Sequence, residues 1–119
     1  MRIAIIGAGI GGLTTALTLK RRGLKVKIFE SAGEIKPVGA GIILASNAMQ
    51  VFQKLGIQKK IESAGNRISS MNITDEQLNT ISVTDLTGYE KKYGVHHVAI
   101  HRGALQELLA KETGYNHIN

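Results

Sequence analysis

The sequence predicts a mixed α/β fold, and three features of its 119 residues carry that prediction. Arg2-Ile3-Ala4-Ile5-Ile6 is a short apolar run rich in β-branched residues that ends abruptly in glycine. Leu13, Ala16, Leu17 and Leu19 then recur at helical spacing until Gly23, and a second apolar run from Leu24 to Phe29 ends on Glu30. The first short apolar run bounded by glycine reads as a strand buried on both faces and the second as another apolar strand, so the first thirty residues form one parallel βαβ unit.

The turn between the first strand and the helix is Gly7-Ala8-Gly9-Ile10-Gly11-Gly12, a Gly-x-Gly-x-x-Gly spacing. Gly7 allows the sharp turn, Gly9 lets a pyrophosphate approach the backbone, and Gly12 lets helix and strand pack closely. The anion would face the free N–H groups and dipole of a helix N-terminus, a favourable term of roughly 0.3–2 kcal/mol. Glu30, at the tip of the second strand, can accept hydrogen bonds from ribose hydroxyls and would repel a 2′-phosphate. With 14 glycines in the chain, the spacing alone could arise by chance. Here the strand before it, the helix after it and the acidic residue downstream supply the context that a Rossmann-like dinucleotide-binding unit requires.

Composition bounds the rest. Hydrophobic residues at 43% and charged residues at 20% describe a chain able to bury a core, which excludes disorder. Without cysteine there is no disulfide framework and no thiolate metal site. The apolar residues at the N-terminus are interrupted by Gly, Lys and Arg before reaching membrane-spanning length, and no signal-peptide pattern is present, so a cytoplasmic protein without membrane contact is expected. The net charge of +6 includes Lys20, Arg21, Arg22, Lys25 and Lys27. These suit the negative end of a helix dipole, and with aromatic residues at only 4% no nucleic-acid partner is expected.

Beyond Glu30, Ser31 to Gly41 reads as a loop containing the only proline, Pro37. Ala48, Val51, Phe52 and Leu55 predict a helix with Ser46 or Asn47 as N-cap, and a second short helix is predicted over Ile57–Ser63. Alternation in Ile68–Thr74 and Thr80–Thr84 predicts two half-buried antiparallel strands joined by Asp75-Glu76-Gln77-Leu78-Asn79. Asp85 to Gly94 reads as a loop and His97–His101 as a last strand. His96, His97, His101 and His117 fit no metal-ligand spacing, so no metal is expected, and no nucleophile elbow is present. Any chemistry therefore belongs to a cofactor, and no catalytic residue can be named.

Gly7–Gly12 with Glu30, then Gly39-Ala40-Gly41-Ile42 with Asn47 and a helix ending Leu55-Gly56-Ile57, then Ile100-His101-Arg102 with Leu105, Leu108 and Leu109, resemble three landmarks of the FAD-dependent monooxygenases of the aromatic hydroxylase type. The resemblance implies FAD as cofactor. Its pyrophosphate would lie at Gly7, Gly9, Ile10, Gly11 and Gly12, its ribose on Glu30, and its flavin end near Lys36, Gly41 and Arg102. It also implies NAD(P)H as transient reductant, O2, and a small-molecule substrate that receives one oxygen atom. The family's later Asp-Gly and Gly-Asp flavin contacts have no counterpart here. Residues 1–119 are thus expected to be a partial FAD-binding domain, truncated relative to the family and inactive or weakly active alone, with residues 67–101 beginning the substrate-domain sheet. A two-stranded parallel sheet leaves open edges, from which a homodimer is expected. Two alternatives stay open: a non-catalytic adenine-dinucleotide module taking NAD or FAD, and a ligand-free association fragment.

Overall fold

The structure is a computed structural model that describes residues 1–35, 39–115 and 118. It divides into two compact units, Met1–Gly41 with His101–Asn119, and Ile42–Ile100.

In the first unit, strand β1 (Arg2–Ile6), helix α1 (Ile10–Arg21) and strand β2 (Lys25–Phe29) form the expected parallel βαβ unit, with Ile3 opposite Val26 and Ile5 opposite Ile28. Helix α5 (Arg102–Thr113) packs beside α1. Leu13, Ala16 and Leu17 of α1, spaced i, i+3, i+4, and Leu105, Leu109 and Ala110 of α5, spaced i, i+4, i+5, are buried, so each helix has one apolar face. Burying each leucine contributes about 1.5–3 kcal/mol. Helix α1 lacks a side-chain cap, and Lys20 and Arg21 occupy its last turn. The Lys20 ammonium donates to the Thr113 carbonyl at the end of α5, tying the two helix termini together. Strand β1 is expected to be buried on both faces, yet only one face is shielded: Ile3 and Ile5 of β1 are half-buried and Val26 and Ile28 of β2 buried. Arg2, Ala4, Ile6, Lys25, Lys27 and Phe29 form an exposed face, with Ile6 83% exposed, because among the described residues the sheet has helices on one side only.

The second unit contains strand β3 (Gly41–Leu44), helices α2 (Ser46–Lys54) and α3 (Gln58–Ala64), strands β4 (Asn66–Ile68), β5 (Ser70–Thr74) and β6 (Thr80–Asp85), helix α4 (Thr87–Tyr93) and strand β7 (His97–His101). Its three-stranded sheet runs β3-β7-β4, with β4 antiparallel to β7. Met49, Phe52, Ile61, Val95 and Val98 build its core. Several local expectations are corrected here. Ala45, not Ser46 or Asn47, is the N-cap of α2, and no side chain caps it. Gly41–Leu44, not foreseen as a strand, joins β7. The strand expected over 68–74 breaks at Ser69, whose carbonyl accepts from Leu86 N–H at 2.9 Å, so β4 and β5 enter different sheets. Residues 85–94, expected as a loop, form α4: Asp85 Oδ1 accepts from Thr87 N–H at 2.9 Å and from its hydroxyl at 2.7 Å, Leu86 is buried, and Gly94 at φ 67° closes the helix.

The β5–β6 hairpin forms as expected but is exposed along both strands rather than half-buried. Its register puts Met71 opposite Thr84 and Ile73 opposite Ser82, while Val83 faces Asn72. Directly opposed residues share a face, so Met71 and Ile73 lie on one side of the ribbon and Val83 on the other. One covering layer could not bury both sets.

Two glycines are indispensable to the packing. A Cβ on Gly12 would stand 2.1 Å from the Gly7 carbonyl oxygen, and one on Gly65 2.6 Å from Val98 Cγ1 and 2.7 Å from the Ala99 oxygen. Gly12→Ala and Gly65→Ala are each expected to cost at least about 1–3 kcal/mol, the usual range for overpacking. Thermal melts followed by circular dichroism should show both variants well below the parent chain.

Candidate functional site

The described residues of the sequence-predicted site all lie in the first unit; Lys36 lies outside the described residues. The glycines of the first turn and Glu30 meet around the backbone of Ala8, which is fully buried. Gly7 adopts φ 96°, a conformation that side chains disfavour, and its N–H donates to the Phe29 carbonyl at 2.7 Å. The chain then turns into α1. Leu13 N–H to the Gly9 carbonyl, at 2.9 Å, is the first bond of the helix, so the N–H groups of Ile10, Gly11 and Gly12 precede its ladder. A Cβ at Gly9 or Gly11 would meet no atom within 4 Å, which leaves open space against this first turn. A group with negatively charged oxygens fits there.

Ala8 is held from both sides. Its N–H donates to Glu30 Oε2 at 2.6 Å, and its carbonyl accepts from Gln106 Nε2 at 2.8 Å. Gln106 was not foreseen. It stands four residues after Arg102 on α5, and that spacing, which places both on one helix face, was the available signal. Glu30 Oε1 accepts from Ala32 N–H at 2.9 Å and from the Ser31 hydroxyl at 3.4 Å. The Ala32 N–H first, and the Ala8 N–H second, hold the Glu30 carboxyl below its ordinary 4.5, against a weaker opposing effect of desolvation. Glu30 is therefore an anion at neutral pH.

Beside Glu30 lies a cavity of about 430 Å³ lined by Ala32, Gly33, Glu34, Ile35, Glu107, Tyr115 and Ile118. Three carboxylates set against apolar and aromatic walls accept hydrogen bonds from hydroxyl and amino donors and disfavour phosphate. Only Glu30 of this lining was expected from the sequence. Ile118 makes a parallel bridge to Ile28, on β2.

Arg102 lies against Gly39 and Ala40, which immediately precede Gly41. Arg102 N–H donates to the Ala40 carbonyl at 3.2 Å, and a Cβ on Gly39, whose φ is 115°, would lie 3.5 Å from Arg102 Cδ. Arg102 opens α5, and His101 Nδ1 caps that helix by accepting from Gly103 N–H at 3.2 Å. A cation in a first helical turn opposes the helix dipole, an arrangement better suited to meeting an anion than to stabilising the helix.

The family described as FAD binding domain matches residues 1–113. The chain belongs to that family. As an FAD-binding chain, it is 38% identical over 114 residues to the aurachin C monooxygenase/isomerase of Stigmatella aurantiaca, covering 96% of this chain and 30% of that protein. The structure of HpxO from Klebsiella pneumoniae, complexed with FAD and uric acid, superposes with a TM-score of 0.87 at 25% identity, over 100% of this chain and 30% of that one. A tetrameric form of 2-methyl-3-hydroxypyridine-5-carboxylic acid oxygenase gives a TM-score of 0.79 at 25% identity, over 94% of this chain and 28% of that one. The chain thus spans about 30% of the length of the relatives it matches. No helix among the described residues is long and apolar enough to cross a membrane.

Glu30 links the site to folding. Because its carboxyl titrates lower in the folded chain than in the unfolded one, its stabilising effect is fully present above about pH 4.5 and is lost as pH falls through the folded value. Glu30→Gln should therefore be less stable than the parent chain at pH 7, and the gap should narrow between pH 4.5 and pH 3 in denaturant titrations.

Proposed function

We propose that this chain is the FAD-binding portion of a flavin-dependent monooxygenase. The observation that carries the reading is the pairing of two unlike surfaces on either side of Ala8. On one side is an open helix N-terminus suited to a pyrophosphate; on the other is a carboxylate-lined cavity suited to an uncharged nucleoside. In this reading Gly7, Gly9, Ile10, Gly11 and Gly12 receive the pyrophosphate, Glu30 takes the adenosine ribose, and Gly41 and Arg102, with Lys36, stand toward the flavin end. FAD when bound would supply redox and oxygen-transfer chemistry. The chain's own residues bind it, orient it and keep water from its buried face.

The sequence resemblance extends the proposal to the whole protein: NAD(P)H as reductant, O2 as co-substrate and a small molecule as oxygen acceptor, to which the sequence composition adds a cytoplasmic location without nucleic-acid or membrane partners. Residues 1–119 then form one partial FAD-binding domain, Rossmann-like in its first strands, with residues 67–101 beginning a substrate-covering sheet. Alone, this portion is expected to turn over slowly or not at all. Self-association as a homodimer accords with the exposed sheet edges and with the tetrameric relative. Sedimentation that stays monomeric at every concentration would remove the dimer from the proposal.

A second reading is favoured by the cavity itself, because the adenosine end that it suits is common to FAD and NAD. Titration with each dinucleotide, followed by gel filtration and the visible spectrum, separates them: retained flavin absorption supports the first reading, and NAD binding without flavin retention the second.

Two substitutions assign the roles. Gly9→Ala puts a methyl group into the pyrophosphate space while meeting nothing in the protein. It should weaken FAD binding about tenfold or more while changing stability by no more than about 1 kcal/mol, the preference of a helix N-cap for glycine over alanine. Glu30→Ala should weaken binding by about tenfold or more through loss of charge-assisted hydrogen bonds. Unchanged affinity in either variant contradicts the role given to that residue.

A further inference from the structure

We propose that Gln106 is a positioning residue for the pyrophosphate: from α5 it locks the Ala8–Gly9 peptide with its N–H turned toward the incoming anion. The inference rests on the pyrophosphate reading of the first turn and adds to it a residue nearly a hundred positions away in the chain. Both partners belong to the first unit.

Gln106 Nε2 donates to the Ala8 carbonyl at 2.8 Å, the one orientation of the amide that a carbonyl oxygen can accept. Ala8 C=O and Gly9 N–H belong to the same planar peptide unit, and no cis peptide bond occurs among the described residues, so the two groups point in opposite directions. Holding the oxygen toward Gln106 therefore holds the Gly9 N–H away from it. Gly9 is exposed, among the described residues no group accepts from this N–H, and a Cβ there would meet no atom within 4 Å. The donor is free for an oxyanion, beside the N–H groups that open α1.

A lock matters because the residue after this peptide is glycine. Rotating the peptide by half a turn changes mainly Ala8 ψ and Gly9 φ, and would carry Gly9 φ from −71° to about 110°, which glycine accepts and other residues resist. The rotated peptide presents the Ala8 oxygen to the pyrophosphate in place of the Gly9 N–H, and an attraction becomes a repulsion. Ala8 is fully buried, so a carbonyl released by Gln106 is left unpaired unless it turns outward. Glu30, accepting from Ala8 N–H at 2.6 Å, fixes the preceding peptide, and Gln106 fixes this one. Leu105 and Leu109, both buried, hold the stretch of α5 that carries Gln106.

The test compares the full chain with Gln106→Met, which keeps the length and helix preference of the side chain and removes its donor. Labelling alanine with 13C at the carbonyl and glycine with 15N selects glycine amides that follow an alanine, Gly9 among them, and relaxation dispersion reads peptide rotation on the microsecond-to-millisecond scale. The parent is expected to show one Gly9 state and the variant exchange with, or a shift to, a second. Adding Gly9→Ala to the variant should return residue 9 to one state, because alanine resists the positive φ. Binding is read with ADP, which carries the pyrophosphate, and with adenosine, which lacks it. Gln106→Met should weaken ADP about three- to tenfold and leave adenosine unchanged, since only the correctly turned fraction receives the anion. A general loosening of the first unit weakens both alike; that outcome, unchanged ADP affinity, or a Gly9 signal unaltered in the variant would overturn the proposal. A parent chain that binds ADP no better than adenosine contradicts the pyrophosphate reading itself, and the inference falls with it.

Discussion

The contact between the Gly7 carbonyl and the α carbon of Gly12 is the constraint on which the first unit depends. With hydrogen in place of a methyl group at residue 12, the first turn of α1 lies directly against the end of β1. That closeness fixes the backbone of Ala8, which must then find partners for two buried polar groups or leave them unsatisfied. Glu30 meets the N–H and Gln106 the carbonyl. One steric fact about glycine therefore aligns a strand tip, a helix start and a second helix.

That alignment separates two chemical environments by a few residues. The start of α1 presents backbone donors with no side chain in front of them, while the cavity past Glu30 is lined by Glu30, Glu34 and Glu107. The first attracts oxyanions and the second repels them. In the reading proposed here, a molecule with a charged middle and an uncharged nucleoside end would be matched along its length, and one with an additional phosphate on its sugar would meet a penalty. Selectivity here comes as much from the unfavourable contact as from the favourable ones.

How legible these features were in the sequence follows from how local their causes are. Gly7, Gly9, Gly12 and Glu30 could be read because each position demands one residue type for a reason confined to a single turn. Arg102 emerged from a resemblance and not from its own chemistry. Gln106, Glu107 and Tyr115 were missed because their importance comes from the packing of α5 beside α1, a pairing across about ninety residues that no window of sequence displays. Helix α4 was hidden by Gly88 within it, although Asp85 and Gly94 were the signals at its two ends. The alternation marked the hairpin strands apart from the break at Ser69, but the faces of a ribbon are set by register, and register puts Ile73 and Val83 on opposite sides.

The first unit is discontinuous: Met1–Gly41 needs His101–Asn119, while Ile42–Ile100 is a single stretch of chain. During synthesis, Gly12 and Glu30 leave the ribosome well before Gln106 exists. At about 5–20 residues per second, the stretch from Glu30 to Gln106 takes roughly 4 to 15 seconds to make. For that interval β1, α1 and β2 lack the helix that shields Leu13 and Leu17, whereas the second unit already has its whole sequence. The strands and helix around Gly12 thus gain their α5 contacts only after the whole sequence of the second unit has been made.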